Sequence, residues 1–489
     1  MRKVSSLIIT SSLGLLTWAL LLSLSLSFSD GCTIGAFGPT ATVDGRPILW
    51  KNRDVTNPDQ EIRYFTGGRF RFVANVYAGE TLDVWAGINE KGFGIMNSNS
   101  FNLGGRDAPF ADDGNVMSLA LANCATVADF AKLLDSLNIV GRETPANYGV
   151  FDSTGMTAMF EASNTYYTRF NAQDDSLGML LRANYSLSGS PNNQVGKERW
   201  LRAQARAAAA RHENRLDARF VLGTLSRDLG TVNFNPYPLP FQGRYRDLDS
   251  GCVPVDSTIC RAKTRAAFVI VGPRPGGAGT TGMMWVLLGS PIATIPVPVW
   301  VNGRATPAPL NGPVRAPICD EAGLVHKYLC SDPDHPTAIN TFRLAELLAR
   351  FARTETTIFS LVARQESLWG TSGPDSTQAF QTTTAACNLT LAAYRDYWDF
   401  VVADSHVSFP DTAVRLKPTI TRHHLELSWP KDKPVRAIRL YNSVGQLVAT
   451  HHQPLPIPSC RLELDQLPQG TYFVLLSPAR LQSRFLKAP

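Results

Sequence analysis

The chain has 489 residues, of which 44% are apolar and 18% are charged, an ordinary globular composition with enough length for more than one domain. Its formal net charge of +6 comes from scattered lysines and arginines, with the densest group in the Ala-rich stretch 199–219. That spacing is typical of a solvated helix face. Because basic and aromatic residues are not interleaved and zinc-ligand spacing is absent, we expect no nucleic-acid partner and no metal site.

The first 29 residues have the layout of a secretory signal peptide. Arg2 and Lys3 precede a long run rich in Leu, Ser and Ile, and residues 27–29 form a small-x-small cleavage site. This layout predicts a signal peptide over residues 1–29, a two-residue propeptide at 30–31 and an exported protein. Because the apolar run is long for a signal peptide, an uncleaved membrane anchor is the alternative.

A cysteine, Cys32, comes directly after that propeptide. If processing stops at the Gly31–Cys32 bond, the mature chain begins with a thiol and a free α-amine on one residue. Such an amine has an unperturbed pKa of about 7.7–8.0, so it can take the thiol's proton without any histidine. A lipidated Cys32 is the alternative, although the two residues at 29–30 fit a bacterial lipobox poorly.

The residues after Cys32 predict a β-hairpin. Its parts are a strand at 40–43, a turn at 44–47 and a strand that begins at 48. This hairpin carries Lys51 and Asp54 back towards the start of the chain. A cation lowers a thiol's pKa and favours the thiolate, and a carboxylate can hold the α-amine in place.

Further along, periodicity predicts strands that alternate with amphipathic helices. Predicted strands cover residues 70–76, 81–87, 93–96, 148–152, 157–162 and 177–186, and a late block of strands covers 258–301. Predicted helices cover residues 116–137, 199–219, 338–369 and 384–403. Strand pairs with helices after them predict an α+β fold in which two packed antiparallel sheets are covered by helices.

Polar residues mark the ends of several of these elements. Asn97 and Asn99 lie in a polar break after one predicted strand, and Asn184 ends another. Asn is also common in simple turns, so a purely structural role in a turn is the alternative for Asn184. Arg199 lies at the start of the Ala-rich helix, and an exposed arginine on the helix surface is an equal alternative.

The N-terminal stretch resembles the N-terminal nucleophile (Ntn) hydrolases. The resemblance rests on Cys-Thr at the processed N-terminus (Cys32 and Thr33), the Asp-Gly turn at 44–45 and the basic-Asn-x-Asp run at 51–54. Within that superfamily the stretch is similar to the choloylglycine hydrolase and penicillin V acylase group, and to the acyl-CoA:6-aminopenicillanic acid acyltransferase (peptidase C45-like) family. Those relatives usually have Arg where this chain has Lys51, so the cation is kept but the bidentate fork is not.

The same resemblance suggests roles for the polar residues downstream. A strand, an Asn-Glu-Lys-Gly turn, a strand and then Asn is a local pattern of the choloylglycine group, where the Asn belongs to the oxyanion hole. Counting from the turn favours Asn99 and closeness to the strand end favours Asn97, so both are kept. The family's second signature implies Asn184 as the other donor, and its Arg-aromatic-x-Arg run makes Arg199 a further site candidate. The resemblance also implies a four-layer αββα sandwich.

The composition changes near residue 416. Short alternating runs at 425–429, 437–442, 446–449 and 462–474 predict a small all-β, immunoglobulin-like domain over 412–489. This segment resembles the C-terminal sorting domain of the bacterial type IX secretion system. The resemblance rests on Leu-Tyr-Asn, a Gly-Gln turn, Leu-x-x-Gly-x-Tyr and a short basic tail. That resemblance implies the type IX machinery as a partner, and a secreted or cell-surface location reached through the periplasm. An immunoglobulin-like binding module is the alternative.

Histidines, serines and the other cysteines offer no second catalytic set. No histidine lies between Cys32 and Asn184, and the polar contexts of His212, His326 and His335 are typical of surface positions. Neither a Gly-x-Ser-x-Gly elbow nor a His-Glu-x-x-His motif occurs. Cys124 is predicted in the apolar helix at 116–137 as a core residue.

Two cysteine pairs are close enough in sequence to be disulfide candidates in an exported protein. They are Cys252 with Cys260 and Cys319 with Cys330. Sequence does not determine the connectivity.

These observations predict a secreted amidohydrolase whose catalytic domain covers residues 32–405. Cys32 attacks a small-molecule linear, non-peptide amide, the candidate asparagines hold the oxyanion, and water releases the thioester without any cofactor. Release by an amine would make the protein an acyltransferase, which the resemblance also covers. An inactive, surface-displayed binding protein is the third interpretation.

Overall fold

A computed structural model describes residues 31–105, 112–312, 315–330, 335–404, 424–428, 437–442, 447–452, 459–468, 470–477 and 481–487. The predicted signal peptide and the first propeptide residue lie outside the described residues. Within the described ranges, no helix has both the length and the apolar character that crossing a bilayer requires.

The first two strands form a hairpin at the start of the described chain. β1 (Thr33–Phe37) pairs antiparallel with β2 (Ile48–Asp54), and Ile34 lies opposite Lys51. The predicted strand at 40–43 is wrong, because the fully buried run directly after Cys32 takes the pairing positions instead. Residues 38–47 form the connection, which the Thr42 hydroxyl closes by donating to the carbonyl of Arg46 at 2.8 Å.

In the described part of the chain, thirteen further strands lie before residue 341. They are, in chain order, β3 (Gln60–Phe65), β4 (Phe72–Tyr77), β5 (Ala86–Asn89), β6 (Gly94–Asn99), β7 (Ala146–Phe151), β8 (Thr157–Ala162), β9 (Tyr167–Asn171), β10 (Met179–Arg182), β11 (Cys252–Pro254), β12 (Thr264–Val271), β13 (Met283–Leu288), β14 (Val297–Val299) and β15 (Ala338–Asn340). A six-stranded sheet has the order β10-β1-β2-β12-β13-β14, and a seven-stranded sheet runs in chain order from β3 to β9. Every pairing in both sheets is antiparallel.

Two strands differ from prediction near the candidate asparagines. β5 begins at Ala86, later than the predicted start. β6 continues through Asn97 and Asn99, which the sequence places in a polar break, because they pair with Tyr148 and Ala146 on β7. The polar composition of residues 97–99 therefore does not indicate where this strand ends.

Seven α-helices are present in the described part of the chain. They are α1 (Asp113–Asn123), α2 (Val127–Val140), α3 (Lys197–His212), α4 (Ala218–Phe220), α5 (Pro317–Leu329), α6 (Thr341–Trp369) and α7 (Ser376–Asp404). The single helix predicted at 116–137 is two, because Cys124 is extended and Thr126 starts α2 with a capping box to Asp129. Cys124 is nonetheless buried, as predicted.

The two large sheets pack face to face with helices outside them. Side chains such as Ile34 and Leu49 of one sheet share a core with Ile88 and Met96 of the other. A second core lies on the far side of the seven-stranded sheet, against α1 and α2. Helices α3, α5 and α7 contact β10, β13 and β14 of the six-stranded sheet. The predicted α+β class with αββα layering is confirmed.

Six short strands follow within the described C-terminal segments. They are β16 (His424–Ser428), β17 (Ala437–Asn442), β18 (Leu447–His452), β19 (Ser459–Glu463), β20 (Gly470–Ser477) and β21 (Leu481–Lys487). β16 pairs with β19, while β18, β17, β20 and β21 form a four-stranded antiparallel sheet. Buried Leu and Ile side chains give these strands a core of their own. The assignment of this region as a sorting domain stays a prediction.

The cysteines are free thiols in this structure. Cys319 lies in α5 and Cys330 ends that helix. The two are eleven positions apart along the helix, so their Cα atoms are about 16 Å apart, far beyond the reach of a disulfide. Neither this pair nor Cys252 with Cys260 is bonded here.

Candidate active site

Cys32 lies directly before β1, which is between β10 and β2 in the six-stranded sheet, with 9% of its surface exposed. The backbone amide of Gly31 donates to the carbonyl of Asp54 at 3.0 Å, so the hairpin does return Asp54 to the chain start. Side chains alternate across a strand, so Lys51 and Asp54 point to opposite faces of β2. Cys32 therefore has one charged residue on each side of its sheet.

Lys51 lies in the space between the two sheets. Its Nζ donates to the carbonyl of Trp85 at 2.9 Å and to Oδ1 of Asn97 at 2.5 Å. Burial lowers the pKa of Lys51 to about 8, and among charged neighbours Cys32 opposes this shift most. A lysine in this place is thus a weaker and more readily neutralised cation than an exposed one.

Asn97 and Asp113 hold Lys51 from the other side. Nδ2 of Asn97 donates to Oδ2 of Asp113 at 2.6 Å, which turns Oδ1 towards the ammonium. Asp113 is the first residue of α1 and is buried. Burial raises the pKa of the Asp113 carboxyl to about 6, against the lowering effect of Lys51.

Asp54 lies on the outer face of the same sheet and is held by three side chains. Oδ1 accepts from the hydroxyl of Thr264 at 2.6 Å, and Oδ2 accepts from Nη1 of Arg261 at 3.3 Å. Arg199 lies 3.9 Å from the same carboxylate. Burial raises the pKa of Asp54, and the two arginines act in the opposite direction. The carboxylate is therefore rigidly placed beside the chain start.

Arg199 joins the chain start to Asn184. It is 4% exposed, so the helix-surface interpretation is wrong. Nη1 donates to the carbonyl of Cys32 and to the Thr33 hydroxyl, both at 2.7 Å, and Nη2 donates to Oδ1 of Asn184 at 2.7 Å. The guanidinium thus fixes the amide orientation of Asn184 and points its NH₂ group away from Arg199.

The two asparagine alternatives on β6 are both close to this network. The NH₂ group of Asn184 donates to the backbone carbonyl of Asn99 at 3.2 Å, and the Asn99 side chain is half-buried. Asn97 is buried, with its oxygen and one amide hydrogen already committed to Lys51 and Asp113. Both stay candidates for the second oxyanion donor.

Gly31 occupies the centre of this cluster. A Cβ added to it would lie 2.8 Å from Oδ1 of Asn184, 3.2 Å from Nη2 of Arg199 and 3.3 Å from Nη1 of Arg261. A side chain at this position would displace the polar groups around Cys32. Glycine at this position leaves room for these polar side-chain ends in the positions that they have.

Three residues of this cluster, Asp113, Arg261 and Thr264, were not predicted from the sequence. Asp113 follows another aspartate at a helix start, which is the ordinary pattern of a cap. Arg261 and Thr264 follow Asp54 by 207 and 210 positions, so no local spacing joins them to it. Only the pairing of β12 with β2 places Thr264 opposite Asp54.

In the ranges that the structure describes, the histidines make their contacts away from Cys32. His326 is buried, against the predicted surface position, because α5 turns it inward. Its Nε2 lies 3.6 Å from Sγ of Cys330, and burial lowers its pKa to about 4. His212 is exposed, and His335 lies 3.9 Å from Asp247. In the described part of the chain, no hydrogen bond joins a histidine to Cys32.

Among the residues with described positions, no three His, Cys, Asp or Glu side chains are grouped so as to hold a metal ion.

The fold and the site together define an α+β protein of four layers with the Cys32 thiol directly before β1. Solved structures similar to it include the penicillin V acylase from Agrobacterium tumefaciens, at 14% identity and a TM-score of 0.35 over 55% of this chain and 85% of that one. Two variants of the conjugated bile acid hydrolase from Clostridium perfringens are 13% identical, with TM-scores of 0.34 and 0.33, over 53% of this chain and 89% of theirs.

No protein-family model matches the chain, and no curated protein matches it. Because these solved structures are only 13–14% identical to this chain, the activities in their names are those of the named proteins.

Proposed function

We propose that this chain is a cysteine Ntn amidohydrolase that cleaves linear, non-peptide amides once Cys32 has become its first residue. The observation that supports this most is the position of Arg199. It bonds to Cys32 and Asn184 at once and lies 3.9 Å from Asp54. A nucleophile, a residue to hold its amine and an oxyanion donor thereby belong to one buried network.

The α-amine freed at Cys32 acts as the base for the thiol in the mature enzyme. The backbone carbonyl of Asp54 accepts from the Gly31 amide, and Arg199 donates to the Cys32 carbonyl while lying 3.9 Å from the Asp54 carboxylate. An amine freed at Cys32 therefore forms close to Asp54. The carboxylate holds the amine and stabilises the ammonium that forms when the thiol loses its proton. Lys51 stabilises the thiolate from the inner face of the sheet.

The thiolate attacks the amide carbonyl, and the oxyanion is held by Asn184 together with Asn97 or Asn99. Arg199 occupies the oxygen of Asn184, and the NH₂ group gives one hydrogen to the carbonyl of Asn99, which leaves its other hydrogen for an oxyanion. The amine part of the substrate leaves, and water hydrolyses the thioester on Cys32. We favour water over a second amine because an exported protein rarely meets acyl-CoA. Export through the periplasm and type IX sorting are part of this proposal.

The first test is the mass of the mature N-terminus combined with an activity panel. The chain is purified from medium or cell surface, and its N-terminal peptide is identified by mass spectrometry. Penicillin V, bile-salt conjugates and N-acyl amino acids are then offered as substrates. We expect Cys32 as first residue, cleavage of at least one class, and complete loss of cleavage in Cys32→Ala.

Cys460→Ser is the matched control, because Cys460 is a partly exposed thiol of the C-terminal strands. It should cleave amides at the rate of the unchanged protein. A secreted protein that keeps a residue ahead of Cys32 and still cleaves amides contradicts the proposal. Product formation that requires an added amine would instead make the protein an acyltransferase.

A further inference from the structure

The structure contains the Gly31–Cys32 bond intact, with Gly31 seated among the site residues. In that state the nitrogen of Cys32 is a peptide nitrogen and cannot take a proton from the thiol. The base of the mature enzyme is therefore missing when the bond is cut. If the chain cuts this bond itself, a different base must act on Cys32.

The contacts of Lys51 suit a neutral amine. A neutral lysine nitrogen has two hydrogens and one lone pair. Two acceptors are in place for the hydrogens, the carbonyl of Trp85 at 2.9 Å and Oδ1 of Asn97 at 2.5 Å. Asp113 holds the amide of Asn97 in the orientation that presents this oxygen. Ile34 pairs with Lys51, and Cys32 lies two residues before Ile34 on the same face of the sheet. The lone pair is therefore on the face that carries the thiol.

The groups around Lys51 shift its pKa in both directions. Cys32, Asp113 and Asp54 favour the ammonium, whereas Arg53 and burial favour the neutral amine. Burial is the largest effect, and it brings the pKa of Lys51 to about 8. Near neutral pH a fraction of Lys51 is therefore uncharged. Arginine, with a pKa above 12, is never uncharged under such conditions.

We propose that Lys51 is the base that takes the thiol proton of Cys32 when the precursor cuts its own Gly31–Cys32 bond. The inference rests on the proposed function, which requires Cys32 to become the first residue. It gives this lysine a task that an arginine at the same position cannot perform.

The reaction balances with water as its only co-reactant. The proton of Sγ moves to Nζ of Lys51, and Sγ attacks the carbonyl carbon of Gly31. The bond from that carbon to the nitrogen of Cys32 breaks, and the proton on Lys51 passes to that nitrogen. A thioester of Gly31 on Sγ results, beside a free α-amine. Water then hydrolyses the thioester, releasing the Gly31 carboxylate and restoring the thiol.

The test follows processing of the chain from Asp30 to Pro489, the expected product of signal-peptide cleavage. The chain is made by cell-free translation, and intact mass reports the loss of the residues before Cys32 over time at pH 6 to 9. Variants are Lys51→Arg, which keeps the positive charge but not the lone pair, and Cys32→Ala. Lys91→Arg is the control, since Lys91 is an exposed lysine.

We expect the processing rate of the unchanged chain to rise with pH up to about 8 and then level, because Lys51 must be uncharged to act. Lys51→Arg should slow processing at least about 100-fold, the usual effect of losing a general base. Lys91→Arg should match the unchanged chain, and Cys32→Ala should stay uncut. Processing of Lys51→Arg within about tenfold of the unchanged chain, with the same pH profile, overturns the proposal.

Two further measurements separate this inference from misfolding and from the proposed function. A pH-independent processing rate of the unchanged chain overturns the role of Lys51 even if Lys51→Arg fails to fold. A chain that starts with Met directly before Cys32 yields the mature form after removal of Met by methionine aminopeptidase, without self-cutting. Failure of that form to cleave any amide contradicts the proposed function, whatever the processing result.

Discussion

At the residue scale, the site consists of side chains that each bind several partners. Arg199 donates to three groups, and Lys51 and Asn97 each bind two. A group with several bonds has one orientation, and this preorganisation is what an oxyanion donor requires. The sequence predicts most of these residues. It does not show that Arg199 is buried, because a helix-opening arginine looks the same in either place.

Replacing Asn184 by Asp tests its role as oxyanion donor. The variant Asn184→Asp keeps an oxygen for Arg199 but loses the NH₂ group. We expect kcat for amide cleavage to fall about 100- to 1000-fold, with a much smaller change in KM, because the donor acts on the transition state. Steady-state kinetics on the best substrate of the panel measures both.

The matched control is Asn193→Asp, which adds the same charge at an exposed asparagine that donates to the carbonyl of Phe101 at 2.7 Å. Its kcat should stay within threefold of the unchanged enzyme. If Asn184→Asp has an equally small effect, Asn184 is a structural residue and the oxyanion hole lies elsewhere.

At the element scale, strand register and helix ends decide where the site residues point. Alternation along β2 sends Lys51 to the inner face and Asp54 to the outer face of the sheet. Asp113 reaches Asn97 because α1 begins beside the end of β6. Periodicity predicts such elements well in their interiors, and it predicts their ends poorly, since capping contacts are specific to single residues.

The break between α1 and α2 gives a prediction about stability. Thr126 accepts from the amide of Asp129, and the Asp129 carboxylate accepts from the amide of Thr126, both at 3.0 Å. Thr126→Ala removes half of this capping box and should lower the free energy of unfolding by about 1 kcal/mol. Chemical denaturation of purified protein measures the change.

Ser136→Ala is the control for that experiment, because Ser136 is an exposed residue within the same helix. Its effect should be within about 0.5 kcal/mol. An equal loss in both variants would show that the helix responds to any lost hydroxyl, and that the cap has no special importance.

At the scale of the whole molecule, a buried ion pair joins the two sheets beside the site. Glu161 of β8 lies 2.5 Å from Arg182 of β10, and both side chains are almost fully buried. The same carboxylate accepts from the backbone amides of Leu187 and Ser188, in the loop that follows Asn184. This pair therefore couples the packing of the sheets to the position of an oxyanion candidate.

Glu161→Gln should lower the free energy of unfolding by about 3–5 kcal/mol, because it leaves Arg182 buried without a compensating charge. Amide cleavage should fall as well, since the loop after Asn184 loses its anchor. Glu346→Gln, which breaks an exposed pair with Arg350, should cost no more than about 0.5 kcal/mol. Equal denaturation midpoints for the two variants would contradict a role for the buried pair.

The sequence by itself determined the features that are local. The short distance from Cys32 to Lys51 and Asp54 and the alternating strand patterns predict a hairpin that returns the chain to its start, and the layered class, since these depend on neighbouring residues. The position of the first strand of that hairpin, Thr33–Phe37, comes only from its pairing with β2. Only the tertiary structure placed Arg199, Arg261 and Asp113 around this hairpin. Their contacts depend on sheet order and burial across long stretches of chain, and no local pattern records either.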